Sequence, residues 1–428
     1  MFEFTLVNGF IFLAILGIIF VGVGIYLSYI SSFDNATSAG DYTKEEAYTN
    51  QVKLLTDTYT PRATSRRPVS NLLSQNVMPE MEQNFINFHA LGCRYTGYIG
   101  PMQNGYFDPD IAIQQAVNAG CRVFVLDIDY VTECDGESVK YYPRIVARDA
   151  QGKMLIKFNS NRPICNSSVH SNLKKICEKI NYYSFADSCQ NREDPLVIVL
   201  YFLRQPTGAY NSKIVLDYFS HVAKNLAPFR NRMITNELDG GTFYRQKQES
   251  RLLINKITDY AGKVLIFSNA NTSGFRESQA YSTSEDLDYL VNLRLSYRQT
   301  KLGVTETEAQ FGVLETAEDY MIIPSDRTDQ VAQETKLKWT ICFPADPTKT
   351  VDVDTYKKIT STLGVNCVPA ILFDTENCAY LFKDPLFKTH SYMPKPQPIR
   401  YIKPPVVIPA EPNPSTNTRQ GKLRIPSV

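Results

Sequence analysis

Few groups in this chain are suited to chemistry near neutrality. Its 428 residues hold four histidines, His89, His170, His221 and His390, and histidine is the side chain whose charge changes most readily there. His170 opens a helical pattern, His221 lies inside one, and His390 stands in an exit segment. Those three read as structural or solvated positions. The carboxylates of CRVFVLDIDY (121–130) are better arranged. Strand alternation sends Val123, Val125, Asp127 and Asp129 to one face and Phe124, Leu126 and Ile128 to the other. With the polar face inward, both aspartates would line the mouth of a barrel. Arg94, Arg122 and Arg148 could gather there and bind an anion. The nine cysteines include no C-x-x-C pair, and the chain has neither a G-x-S-x-G elbow nor an H-E-x-x-H helix. Asp239-Gly240-Gly241 has turn chemistry and lacks the strand-to-helix context of a phosphate loop.

Positioning such residues requires a scaffold, and the middle of the chain carries the pattern of one. Apolar strand-like runs at 121–130, 195–203, 263–269, 338–344 and 368–374 alternate with helical patterns at 110–120, 171–180, 212–226, 249–262, 286–299 and 353–364. Buried strands alternating with amphipathic helices imply parallel pairing through right-handed crossovers. The expected class is α/β: a single (β/α)8 TIM-type barrel over 84–390.

The ends differ from this body. From Phe4 to Phe33 there is no charged side chain, and residues 9–30 are almost wholly apolar. At about 1.5 Å per residue that stretch spans roughly the 30 Å of a bilayer core. Only Glu3 precedes it, without the cationic flank of a cleavable leader, so residues 1–33 are expected to be a transmembrane anchor. Residues 34–83 read as a polar spacer. Nine of the 24 prolines lie beyond Tyr392, so 391–428 is expected to run extended as a tail. Its interleaved Ile399, Tyr401, Val406, Val407, Ile408, Leu423 and Ile425 suit an arm that lies on a neighbouring protein.

Composition excludes other classes. Lys+Arg 45 against Asp+Glu 44 leaves a net charge of +1 without a basic stripe, which argues against nucleic acid as a partner. With 26 Tyr and 23 Phe the chain has apolar area for a large core. Cys134, Cys165, Cys177 and Cys189 crowd into a loop-rich stretch where disulfides would suit an oxidising compartment. Sequons at Asn35, Asn166 and Asn271 point the same way.

The order NFHALGCRYTGYIG (87–100), DPDIAIQQAVNAGCRVFVLDID, SSVHSNLKKICEKINYYSF and EDPLVIVLYFL, followed by KVLIFSN, resembles the X region of phosphatidylinositol-specific phospholipase C and its relatives. The match runs from about 85 to 270. The resemblance implies a barrel whose C-terminal rim carries the site. It places His89 at the first histidine and Asp127 at the aspartate of a Glu-Leu-Asp strand end. It also implies losses. Val125, Ala90 and Tyr201 stand where calcium-binding oxygens are expected, and Asp129 stands where metal-free relatives carry an arginine. The second histidine falls near Ala147 or Arg148. Arginine can bind a phosphate but serves as neither acid nor base at neutral pH. Calcium is the alternative cofactor to none, with Asp127 its remaining ligand.

The expectation is therefore a membrane-anchored, catalytically degenerate phospholipase-like barrel acting as a structural or interaction protein. Proteins of this kind also resemble open reading frames of large DNA viruses, which suggests a minor capsid or inner-membrane virion component. Its partners would be the membrane and, through 392–428, neighbouring capsid or membrane-complex proteins. The alternative is an active membrane-tethered phosphodiesterase cleaving phosphoinositide or glycerophosphodiester headgroups. His89 would be its base and Asp127 would orient the base or hold a metal, with Asp129 and Arg148 completing the set.

Overall fold

The structure is a computed structural model that describes residues 15–25, 44–100, 106–135, 138–147, 158–159, 162–163, 173–234, 251–277, 286–297 and 311–402. Seven parallel strands follow one another around a ring: β2 (Gly92–Cys93), β5 (Val123–Asp135), β9 (Leu196–Phe202), β10 (Val264–Ser268), β11 (Leu293–Tyr297), β12 (Gly312–Thr316) and β13 (Trp339–Phe343). An eighth extended segment at 366–370 closes the ring. It bridges β13 through Ile341 and Cys367 and β2 through Cys93 and Ala370, both in parallel. The closing bonds run from the Cys342 amide to the Cys367 carbonyl (2.9 Å), from Ala370 to Gly92 (2.9 Å) and from Arg94 to Ala370 (3.0 Å). Eight parallel strands in sequence order, closed on themselves, define a (β/α)8 barrel.

Alternation along β5 partitions as the sequence reading has it. Val123 and Val125 pack inside with Val197, Val199, Leu265, Phe267, Trp339 and Ile341. Phe124, Leu126 and Ile128 pack outward against the helical shell. That shell includes α4 (Pro109–Ala119), α5 (Leu173–Ser184) and α6 (Lys213–Asn225). At the start of α4, Asp108 accepts from the amides of Asp110 (3.1 Å) and Ile111 (3.2 Å) and Pro109 takes the first helical position, a standard cap with a proline whose missing N–H costs nothing there. The helix ends at Gly120, whose φ of +96° is a left-handed conformation that glycine adopts without strain.

Several expectations need correction. The pattern at 249–262 folds as two 3-10 turns, Arg251–Ile254 and Ile257–Tyr260. The pattern at 286–299 yields one short helix, Leu287–Leu290, and then strand β11. Strand β6 (Ser138–Ile145) returns antiparallel along β5 as a hairpin arm. A small sheet of β3 (Tyr98–Gly100), β4 (Tyr106–Phe107), β7 (Phe158–Asn159) and β8 (Arg162–Pro163) lies beside the barrel.

The ends of the body also extend further than the periodicity implies. Much of the expected spacer is helix α2 (Lys44–Ala63) and helix α3 (Val69–Leu73). In α2, Leu55 and Tyr59 are buried, and the Tyr59 hydroxyl donates to the Leu372 carbonyl at 2.7 Å. At the other end, β14 (Tyr392–Pro394) pairs antiparallel with β1 (Phe88–Ala90), so residues 391–402 belong to the barrel and not to the tail. Residues 403–428 lie outside the described residues.

No helix among the described residues is long and apolar enough to cross a membrane. Within the expected anchor, residues 15–25 are described; they form helix α1, with Ile18 and Phe20 about 70% exposed. Cys177 and Cys189 are buried free thiols; the side chains of Cys134 and Cys165 lie outside the described residues, as do Asn35 and Asn166.

Candidate functional site

The C-terminal ends of the strands converge on one buried ion pair. Arg94 directly follows β2 and Asp127 lies on the inward face of β5. The Arg94 Nε donates to both Asp127 oxygens (3.1 and 3.2 Å) and its Nη2 donates to Oδ1 at 2.8 Å. Arg94 is 8% exposed and Asp127 1%. The guanidinium is walled by the rings of Phe343 (4.7 Å), Tyr95 (5.1 Å) and Tyr201 (5.5 Å), the stacked geometry that suits a planar cation.

The loop after β2 is shaped to hold this pair. Tyr95 sits at φ +57°, a left-handed conformation that costs a non-glycine residue about 1 kcal/mol or more. In return its amide donates to the Asp127 carboxylate and its hydroxyl donates to the Pro347 carbonyl at 2.5 Å. The neighbouring Thr96 hydroxyl donates to the Val125 carbonyl at 3.0 Å. Burial pushes the Asp127 carboxyl up against the pull of Arg94. For Arg94, burial acts downward and the Asp127 charge upward, and the result is upward. Three short contacts to a bidentate fork keep the pair as guanidinium and carboxylate.

Asp129 lies two residues further along β5, also fully buried. Arg204 grips it through Nε at 2.8 Å and Nη2 at 3.3 Å, Arg144 stands at 3.6 Å, and the Tyr130 amide donates at 2.8 Å. The two aspartates do share one side of the strand, and each is bound by arginine.

His89 lies elsewhere, contrary to its expected place at the rim. It precedes Gly92 by three residues, Gly92 pairs with Val123, and Asp127 lies four residues past Val123. At about 3.3 Å per residue, the two are roughly 20 Å apart along the strands. Ala90 packs inside the barrel while Leu91 and Cys93 pack outside, so His89 shares the outward parity. Its Nδ1 donates to the Val365 carbonyl at 2.7 Å. Burial and the nearby Lys395 ammonium bring its imidazole down to about 3. It occupies the floor of the barrel and faces away from the lumen.

The three arginines considered together are not together. Arg122 is a floor residue, donating to the Ser184 carbonyl at 3.0 Å and to the Asn191 carbonyl. Arg148 and His170 lie outside the described residues. His221 lines a separate cavity of about 190 Å³ on the outer wall, with Lys140, Tyr141, Tyr218 and Lys224.

Calcium does not fit Asp127 as arranged. Both carboxylate oxygens face a guanidinium, Val125 and Tyr201 supply no carboxylate, and a hard dication needs six or more oxygens. Among the described residues no group of three His, Cys, Asp or Glu side chains is placed to hold a metal ion. Arg94 is the mouth residue whose importance periodicity did not reveal. The available signal was its position at the end of the first strand, in the same parity as the small Ala90 and Gly92.

No family model matches the chain, and no curated protein matches it. Solved structures do. A calcium-dependent phosphoinositol-specific phospholipase C from a Gram-negative bacterium, Pseudomonas sp, is similar over 73% of this chain and 96% of that one, at 11% identity and a TM-score of 0.43. L. pealei PLC21 is similar over 86% of this chain and 46% of that one, at 14% identity and a TM-score of 0.45. S. officinalis PLC21 gives 86%, 47%, 12% and 0.46 in the same order. The barrel assignment rests on this chain's own strand order and ring closure.

Proposed function

We propose that the chain is a membrane-tethered, catalytically inactive barrel that serves as a structural or interaction protein. The observation that carries this reading is the buried Arg94–Asp127 pair. It commits the innermost cation of the mouth, Arg94, and the carboxylate of Asp127 to each other, within a wall of aromatic rings. Phosphodiester cleavage needs a base, an acid for the leaving oxygen and charge left over to stabilise the transition state. The apolar segment around α1 is the tether in this reading, and 403–428 is the arm toward a neighbouring protein. The family resemblance suggests a minor capsid or inner-membrane component of a large DNA virus as its setting.

The test is turnover by the full chain in detergent micelles. Phosphatidylinositol and a glycerophosphodiester are supplied with and without calcium, and hydrolysis is expected to stay at the blank. Hydrolysis that disappears in both Arg94→Ala and Asp127→Asn would establish the active phosphodiesterase instead.

A further inference from the structure

The floor of the barrel holds a second unusual arrangement, on the segment that leads into the arm. Lys395 is fully buried, and its Nζ donates to the Thr335 carbonyl (2.9 Å) and to Asn366 Oδ1 (3.2 Å), both neutral. In the β1–β14 ladder His89 lies opposite Met393, and the Lys395 amide donates to the Asn87 carbonyl at 2.8 Å. Asn87, His89, Met393 and Lys395 therefore share one face of the ladder, with His89 and Lys395 diagonal neighbours at about 7–8 Å between Cα atoms. The His89 Nδ1 carries its proton toward Val365, while its Nε2 is buried with no hydrogen-bond partner. A second proton on this ring would create a charge and an N–H without an acceptor, next to a buried lysine.

We infer that this floor is an acid-sensitive latch: protonation of His89 beside Lys395 drives residues 391–402 off the barrel while the ring of eight strands stays closed. The inference holds whether or not the arm has a partner.

The groups around the pair fail to absorb the added charge. On β1 the titratable group is His89 itself. β14 carries Tyr392, opposite Ala90 on the other face of the ladder, with its hydroxyl donating to the Pro195 carbonyl at 2.9 Å, and the turn after it carries Lys395 and Arg400, both cationic types. The turn Glu80–Glu82 contributes Glu82, whose carboxylate is held by Arg400 at 2.9 Å. Thr335 at the end of the helix Thr328–Thr335 and Asn366 on the closing segment are neutral, and the nearby Glu334 pairs with Lys338 at 2.9 Å. The histidine's depressed affinity for protons, with the lysine's lowered by burial, is consistent with this arrangement. The sign follows from linkage. A base that binds protons more weakly when folded lends stability at neutral pH, and that stability is lost as pH falls from about 6.5 toward 3.

Hydrogen exchange on the full chain in detergent micelles reads the latch directly. Peptides covering 86–91 and 391–402 are compared with the ring strand Leu196–Phe202 in the same sample, which cancels the pH dependence of exchange itself. Between pH 7 and about 4.5 the floor peptides are expected to speed up about tenfold relative to that strand. His89→Asn keeps a donor toward Val365 and cannot take the second proton, so its ratio is expected to stay within about threefold. Lys395→Met serves if that variant does not fold, and should blunt the acid response in the same way. The inference is overturned if the wild-type ratio stays level down to pH 4.5, if floor and ring open together, or if the folded variant opens as the wild type does.

Discussion

Replacing Asp127 by Asn separates a structural lock from a working carboxylate. The change removes the charge that balances a guanidinium only 8% exposed, and weakens three N–H···O contacts of 2.8–3.2 Å. Breaking one partner of a buried ion pair costs about 3–5 kcal/mol, because the survivor is left uncompensated. The rings of Phe343, Tyr95 and Tyr201 partly solvate the cation, each by roughly 0.5–1 kcal/mol, which puts the expected loss near the lower limit, about 3 kcal/mol. At about 2.1 cal/mol/K of unfolding entropy per residue, a body of over about 300 residues loses roughly 4 °C of Tm for that change. Urea unfolding followed through Trp339 measures it, since this single tryptophan is buried inside the barrel. The companion variant, Arg94→Met with Asp127→Leu, removes both charges and is expected within about 1–2 kcal/mol of wild type. The four proteins form a cycle whose coupling should exceed about 2 kcal/mol. An Asp127→Asn protein as stable as wild type, or more stable, would refute the reasoning, because that is the signature of a carboxylate held for catalysis at the expense of stability.

Other outcomes follow from the same contacts. Asp129→Asn should cost about 2 kcal/mol in urea unfolding, whereas Arg204→Ala should cost under about 1 kcal/mol, its side chain being 52% exposed and Arg144 remaining. Burial raises the Asp194 carboxyl to about 7 against the opposing pull of Arg122. An acid whose folded pKa is raised binds more protons folded than unfolded, so its contribution to stability falls as pH rises from about 4 to 7. Asp194→Asn should therefore unfold at a higher urea midpoint than wild type at pH 8 and lose that advantage near pH 4. Tyr59→Ala should lower the unfolding free energy by about 3 kcal/mol or more, because α2 is part of the packed body; no change would return it to the status of a spacer. Deleting residues 1–43 should move the protein from the floating membrane fraction to the bottom of a flotation gradient, and a truncated chain that still floats would remove the proposed anchor.

The legible part of this molecule is the part encoded at short range. Strand runs flanked by polar turns, the two-residue period of 121–130, and the helical periods of α4, α5 and α6 are local patterns, and they sufficed for the barrel and for the facing of Asp127 and Asp129. Local pattern misled where few residues are buried or where two periods overlap. In α2 the fully buried apolar side chains are Leu55 and Tyr59, too sparse a stripe to separate from a polar linker. LRLSY at 293–297 fits a strand as well as a helix, and its neighbours in the ring decided for the strand.

The identity of the mouth was settled by pairing between distant segments. Nothing near His89 says which end of the barrel it occupies. That depends on Gly92 lying beside Val123 and on β14, some three hundred residues later, covering β1. Arg94 likewise gains its partner from a strand 33 residues away, and Lys395 its burial from Thr335 and Asn366. Periodicity assigns a side chain to a face; its depth along the barrel axis comes from register, which a chain acquires only when its strands meet.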